Sequence, residues 1–315
     1  MQLPVISRYR PEVSRERRDR AMAVAGRVMQ QNCQFDCMDE SFHDLVMTSE
    51  PANHPSLHID DFSEIPIIGK ADTSGIVQQR ARLRAVEGDW IVQSCKVEPG
   101  YSDYCEFRLG LGRVHWLYPS NEPHDPHQVA LECWQDRRVR HDLIRAIRQE
   151  GLRYIHPHVS TLYVWELASM LSRATRVSLK VIGPTPRLSR WANNKIEFTR
   201  AAGQLLGPHM VPHTEAACNF ATLSKKVMRL AASHQRLGIK YPYGTGGSGN
   251  FLIETSDLQG LSLAQVRSFL VNRFQQYRWP PGGRLLIDVW ESGVVNSPSV
   301  QTWIPPKGIG EPVIE

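Results

Sequence analysis

From about residue 88 onward, short apolar runs of strand length alternate with amphipathic runs of helical length, and this alternation constrains the fold more than any other feature. "DWIVQS", "RVHWLY", "LRYIHP" and "VSLKVIG" read as strands. Between them, "DRRVRHDLIRAIRQEG" places Val139, Leu143 and Ile147 at helical spacing, with Gly151 where a C-terminal stop belongs. "STLYVWELASMLS" reads as a second helix, capped by Ser160. Strands separated by helices must cross over to pair in parallel, so residues 88–186 are predicted to form a layered, mostly parallel α/β domain.

A second unit is predicted over 187–315. "NNKIEFTRAAGQLLGP" is a helix capped by Asn194 and stopped by Gly207-Pro208. "TLSKKVMRLAASHQRLG" is predicted as a helix running to Gly238, followed by a short strand at Ile239-Lys240, a glycine loop and the strand "NFLIE". "SLAQVRSFLVNRFQQY" is a third helix. Its capping box is Ser262 and Gln265, and Val266, Phe269, Leu270 and Phe274 lie on one face. "RLLIDVW" and "SVQTWI" close the chain as strands. Residues 1–87 stay unassigned. In them "SRERRDRAMAVAGRVMQQ" reads as a basic, solvated surface helix, and the proline-containing "TSEPANHPSLHIDDFSEIP" as irregular.

Composition narrows the function classes. Of the 315 residues, 41% are hydrophobic and 22% charged, as in a soluble protein with a sizeable core. No apolar run approaches the ~20 residues of a membrane span, and no secretory signal core is present. A net charge of +5 suits an anionic ligand but does not argue for nucleic acid. Six dispersed cysteines read as free thiols in a reducing compartment, and hence as a cytoplasmic protein. Cys33 and Cys37 with His43, His54 and His58 match no common zinc spacing, and "HDPHQ" reads as a polar loop; no metal site is assigned.

The loop "GTGGSG" matches three nucleotide fingerprints by spelling, so its flanks decide. A dinucleotide loop opens into a helix; this one opens into a strand. A Walker loop needs Gly-Lys followed by Ser or Thr, which is absent. A kinase loop needs a lysine on the following strand, and residues 250–306 contain none. What remains is a hairpin loop with Lys240 on its entering strand. Glycines allow backbone N–H groups to close on phosphate oxygens, and an adjacent ammonium neutralises their charge. A hairpin tip without a ligand is the alternative.

The ordered set "VIGPTPRLSRWANNKIEFTRAAGQLLGPHMVPHT", "GIKYPYGTGGSGNFLIE" and "RLLIDVWESG" resembles the ATP-grasp ligases, and the segment before it resembles their pre-ATP-grasp domain. The likeness covers roughly 88–315 and is nearest to carboxylate–amine or peptide ligases. It implies a pre-ATP-grasp α/β domain followed by the N-terminal, ATP-binding half of an ATP-grasp α+β fold, incomplete at its C-terminus. It implies ATP as cofactor, contacted by Lys195 and Lys240. Gly244, Thr245, Gly246, Gly247, Ser248 and Gly249 would lie over the triphosphate. Asp288, Val289, Trp290 and Glu291 would form the hinge at the adenine and ribose. The implied partners are ATP and small-molecule carboxylate and amine substrates, with a homo-oligomer or a second chain supplying the missing half. The family also uses Mg2+, held beyond the hinge by acidic residues and an asparagine. The 24 residues after Glu291 offer Glu311 and Glu315 and no Glu-x-Asn pattern, so magnesium ligands and catalytic residues are not identified. The expected reaction is ATP-dependent formation of an amide or peptide bond through an acyl phosphate. The alternative is a non-catalytic nucleotide-binding or interaction protein lacking the metal-binding half.

Overall fold

The computed structural model describes residues 13–31, 40–49, 51–65, 74–119, 127–244, 249–276, 283–291, 293–296, 300–306 and 308–314. They fall into two compact units. One comprises Met1–Asp61, Gln78–Thr185 and Val294–Glu315; the other comprises Phe62–Val77 and Pro186–Gly293.

The first unit begins with helix α1 (Arg15–Gln31), which buries only Val24, as a solvated basic helix should. Strand β1 (Ser56–Ile59) follows; the short helix α2 (Ser74–Gln78) belongs to the second unit up to Val77, and the first unit resumes with a 3-10 turn at Gln79–Leu83. Next come β2 (Trp90–Val92), one helical turn α3 (Tyr101–Asp103) running into a π-turn, and β3 (His115–Leu117). The unit continues through α4 (Val129–Gln135), α5 (Arg137–Gln149), β4 (Tyr154–Pro157), α6 (Leu162–Thr175) and β5 (Lys180–Val181). The five strands form one wholly parallel sheet in the order β3-β2-β1-β4-β5.

The central strand of that sheet comes from the stretch predicted to be irregular. Leu57 and Ile59 alternate into the main core and are fully buried, which is the period-two signal of a strand. The strand is only four residues long and carries His58 between them, so its apolar pattern is weak in sequence. The core on that face joins Leu57, Ile59, Ile155 and Val181 to Val139, Leu143, Ile147 and Trp165. Each such side chain contributes about 1.5–3 kcal/mol by leaving water. The opposite face packs Ile91 against Ala81 and Ala85.

Two local expectations are refined. Asp136 caps α5 by accepting from the N–H groups of Arg138 and Val139. The cap of α6 is Thr161, whose oxygen accepts from Val164 N, and not Ser160. Ser160 is turned to the core instead: it accepts from the Trp165 indole N–H at 2.7 Å and donates to Pro184 O at 2.6 Å. Trp165 is fully buried, and that hydroxyl satisfies its one polar atom.

The second unit holds α7 (Pro186–Ala192), α8 (Lys195–Leu206), β6 (Thr214–Ala217), α9 (Phe220–Ala231), β7 (Arg236–Lys240), β8 (Asn250–Glu254), α10 (Leu263–Gln276) and β9 (Leu285–Val289). Its four strands form an antiparallel sheet in the order β6-β9-β7-β8. The α9 helix stops seven residues before Gly238, and Arg236 to Lys240 is strand. Leu237 and Ile239 are buried in alternation with half-exposed neighbours except at Gly238, so the strand period replaces the helical one. Val266, Leu270 and Phe274 of α10 pack with Leu223 and Val227 of α9 on Leu237, Ile239, Ile253 and Ile287. The Ser262/Gln265 capping box forms as expected. In the first unit's last segment, β10 (Thr302–Trp303) pairs antiparallel with β11 (Val313–Ile314).

The mixed α/β and α+β architecture expected from the sequence is therefore present: a parallel sheet with crossover helices, and a separate antiparallel sheet backed by two helices.

Candidate functional site

The strand period divides the antiparallel sheet. Leu237, Ile239 and Ile287 face α9 and α10. Their neighbours Gly238, Lys240 and Asp288 face the other way, because Gly238 pairs with Asp288 and Lys240 with Leu286 in register. Thr214 pairs with Asp288 from the other side and shares that face. Charged and polar side chains collect on the face turned away from the helices.

Lys240 and Asp288 form an ion pair there. Asp288 is only 5% exposed and lies on an inner strand, not on the exposed edge where an isolated charge in a strand would be expected. Its other partner is the Thr214 hydroxyl, which donates to Oδ1 at 2.8 Å. The Lys240 ammonium also lies 5.2 Å from the centre of the Trp290 ring, within cation–π range. Trp290 lies against Gly238: a Cβ at that glycine would stand 2.8 Å from the ring's Cε3 atom. The missing side chain at Gly238 gives the indole its place beside Lys240.

Lys195 enters from the first turn of α8. Asn194 caps this helix, accepting from the N–H groups of Ile196 and Glu197. The Lys195 ammonium donates to the carbonyls of Pro242 and Gly244, and its backbone N–H donates to Pro242 O at 3.1 Å. The Asn194 amide donates to the Tyr243 hydroxyl at 3.0 Å. Burial and the nearby Lys240 ammonium push the Lys195 pKa down, and the Asp288 carboxylate opposes them. Lys240 alone is ion-paired with Asp288, while the Lys195 ammonium is held by backbone carbonyls within electrostatic reach of both, so the two lysines and one carboxylate carry a net positive charge of one. An anion would relieve their repulsion, which is the physical requirement of a phosphate-binding locus.

The structure brings together Lys195, Lys240, Gly244, Asp288 and Trp290 among the residues singled out in sequence. Gly249 sits at the far end of the loop, where its carbonyl accepts from Tyr241 N at 2.7 Å. Thr245, Gly246, Gly247 and Ser248 lie outside the described residues. In the hinge, the N–H groups of Val289 and Trp290 are taken by the carbonyls of His213 and Arg236, and Glu291 is exposed. Sequence reasoning gave no role to Thr214 or Tyr243, and gave Asn194 only the role of a helix cap. Thr214 lies in the quoted "VPHT" element, but only the strand register shows that it reaches Asp288.

The weaker metal candidates are only partly within the described residues. Cys33, Cys37, His124 and Asp125 lie outside the described residues. His58 hydrogen-bonds Asp89 at 3.0 Å, and His54 packs near the Tyr154 ring. Among the described residues, no three His, Cys, Asp or Glu side chains come together to hold a metal. No described helix is long and apolar enough to cross a membrane.

Residues 78–172 match the family model of the pre-ATP-grasp domain, so the first unit carries that domain, as the sequence led us to expect. No curated protein matches the sequence. Solved structures similar to the chain include D-alanyl-alanine synthetase A from Vibrio cholerae, at 10% identity and a TM-score of 0.30, covering 44% of this chain and 38% of that one. D-alanine–D-alanine ligase from Bacillus anthracis aligns at 9% identity and a TM-score of 0.36, covering 77% and 59%. An ADP complex of N5-carboxyaminoimidazole ribonucleotide synthetase aligns at 11% and 0.39, covering 78% and 49%. The chain thus spans from 38% to 59% of the lengths of these proteins. The family reading rests on the domain match and not on these alignments.

Proposed function

We propose that the chain is the nucleotide-binding portion of an ATP-dependent ligase that joins a carboxylate to an amine through an acyl phosphate. The observation that carries this reading is the Lys240–Asp288 ion pair together with Lys195, whose ammonium is bonded to the carbonyls of Pro242 and Gly244 where the glycine loop begins. That arrangement leaves one uncompensated positive charge beside a run of glycines. The pre-ATP-grasp match at 78–172 supports it independently.

In this reading Lys240 and Lys195 hold phosphate oxygens, and the loop from Gly244 to Gly249 supplies backbone donors. Trp290, set against Gly238, offers a flat wall for a purine. Edge contacts to the purine fall to Glu291 and to hinge carbonyls, because the Val289 and Trp290 N–H groups are already engaged. Bound ATP supplies the phosphoryl group that activates a carboxylate, and magnesium would neutralise charge developing on it. The residues described here bind and orient the nucleotide; none is assigned to proton transfer or to magnesium.

The test is calorimetric titration of ADP and ATP with magnesium into the wild type and Lys240→Ala. We expect the substitution to weaken binding by at least tenfold. Equal affinity in both proteins, or no binding to either, rejects the assignment.

A further inference from the structure

Helix α6 ends in a conformation that its sequence does not favour. Its C-cap is Arg176, with φ 59° and ψ 28°, and among the described residues this is the one non-glycine residue held in the left-handed region. Glycine or asparagine commonly ends a helix there, because a Cβ crowds the following carbonyl. A strained residue in such a place points to a use for its side chain.

Arg176 lines a hollow of about 340 Å³ at the end of the parallel sheet where β5 begins. The hollow lies between the last turns of α6, the Val177–Ser178 connection and the 3-10 turn Glu40–Leu45. That turn leads into Val46, which bridges to Val181 of β5. The polar lining is Asp44, Ser169, Ser172, Arg173, Arg176 and Ser178. The Ser172 hydroxyl accepts from Leu179 N at 3.1 Å, which leaves its own proton to be donated. Ser178 Oγ and Lys180 Nζ both donate to Asp44 O, at 3.1 and 2.6 Å, so the Lys180 ammonium is fixed beside Asp44. Arg148 of α5 donates to the Ala174 carbonyl at 2.9 Å and brings a third guanidinium to the same end of α6.

Arg148, Arg173, Arg176 and Lys180 therefore gather at one end of this sheet. Asp142 and Glu150, the acids of the neighbouring α5 segment, are engaged by Arg145, and Asp44 is the one carboxylate in the lining. The result is a local excess of positive charge. Basic residues in the last turn of a helix offset its dipole, and Arg173 does so. That role requires neither a hollow, nor lining hydroxyls, nor a strained arginine beyond the last turn.

Guanidinium forks beside hydroxyl donors match the tetrahedral oxygens of a phosphate, which accepts several charge-assisted hydrogen bonds at once. The volume leaves room beyond a bare phosphate, and Asp44 offers an acceptor to a hydroxyl carried next to it. We propose that this hollow binds a small hydroxylated phosphate monoester, its phosphoryl oxygens on Arg173, Arg176 and Ser172 and its hydroxyl on Asp44. The site belongs to the first unit, whereas Lys195, Lys240 and Asp288 belong to the second. It does not depend on the ligase reading.

The experiment uses the full chain without nucleotide. Glycerol 3-phosphate, ribose 5-phosphate, inorganic phosphate and sodium chloride are compared at equal ionic strength by thermal midpoint, and the binders are titrated by calorimetry. We expect at least one of the two esters at millimolar concentration to raise the midpoint by roughly 2 °C or more over sodium chloride. It should bind at least fivefold more tightly than inorganic phosphate. Arg176→Gly is the decisive variant. Glycine suits the left-handed cap, so the midpoint without ligand should not fall, while affinity for the ester should drop at least fivefold. Arg173→Ala, an exposed substitution, should weaken binding as much, and Lys240→Ala should leave it unchanged. No rise beyond that of sodium chloride with either ester, or unchanged affinity in Arg176→Gly, overturns the proposal. Equal affinity for inorganic phosphate rejects the hydroxylated ester as the ligand. Loss of ester binding in Lys240→Ala would put the phosphate at the nucleotide site and reject this one.

Discussion

The Lys240 ammonium on β7 and the Asp288 carboxylate on β9 form an ion pair across adjacent antiparallel strands, on the sheet face turned away from α9 and α10. Asp288 is buried, and Thr214 from the strand on its other side donates to it. Breaking such a pair from one side leaves a poorly solvated charge, whereas removing both partners does not. Lys240→Met and Asp288→Asn should each destabilise the protein by about 1–3 kcal/mol. The double variant should lose less than the sum of the two. Urea denaturation of all four proteins measures the coupling; strict additivity would mean that the pair contributes nothing.

Gly238 should not tolerate a side chain. A Cβ there would meet Trp290 Cε3 at 2.8 Å, so the ring must move and leave its position over Lys240. Gly238→Ala is expected to cost about 1–3 kcal/mol by overpacking. It should also weaken adenosine binding along with ADP binding, because it displaces the proposed purine wall. In a Trp290→Phe background the ring is smaller, and the stability cost should shrink. A full cost in that background would disprove the contact as its cause.

Substitutions in the glycine loop should separate phosphate from nucleoside. Gly246→Val and Gly247→Val add bulk where backbone N–H groups would approach phosphate oxygens. Triphosphate affinity should fall tenfold or more while adenosine affinity stays within twofold. Parallel losses for both ligands would show that the loop has no particular relation to phosphate.

His156 gives the first unit an acid-sensitive element. Its pKa is lowered from 6.5 to about 4, first by burial, then by His58 and Arg84, with Asp89 opposing. The unfolded chain therefore binds a proton between these values that the folded chain does not. Stability is complete above pH 6.5 and falls as the pH drops toward 4. The loss amounts to as much as about 3 kcal/mol. Asp89 acts in a different window. Burial would raise its pKa, but hydrogen bonds from His58, Val86 and Ser56 outweigh this and hold it below 3.8, so its contribution is lost only in stronger acid. Denaturation of His156→Gln from pH 7 to pH 4 should show a shallower decline than the wild type. Parallel pH profiles would rule His156 out as the source.

Local pattern in the sequence was enough to predict most helices, because caps and apolar spacing act within one turn. Asp136, Asn194 and the Ser262/Gln265 box fix helix starts through bonds to residues two or three positions away. Long-range pairing was not legible in the same way. β1 is four residues of mixed polarity, and it is a strand because Trp90 and Ile155, far along the chain, pair with Leu57. Arg236 to Gly238 continues a helix-like stretch in sequence, but burial of Leu237, with Ile239 beyond it, against α9 and α10 outweighs its helical propensity. The sequence by itself determined which residue types were available for phosphate: two lysines, a glycine run and an acidic strand in a fixed order. Only the tertiary structure decided that Lys240 pairs with Asp288 while Lys195 is held at Pro242 and Gly244, that Gly238 makes room for Trp290, and that Arg84 pairs with Asp60 at the end of the central parallel strand. These contacts join residues separated by tens of positions, and strand register, which no local pattern specifies, sets which side chains share a face.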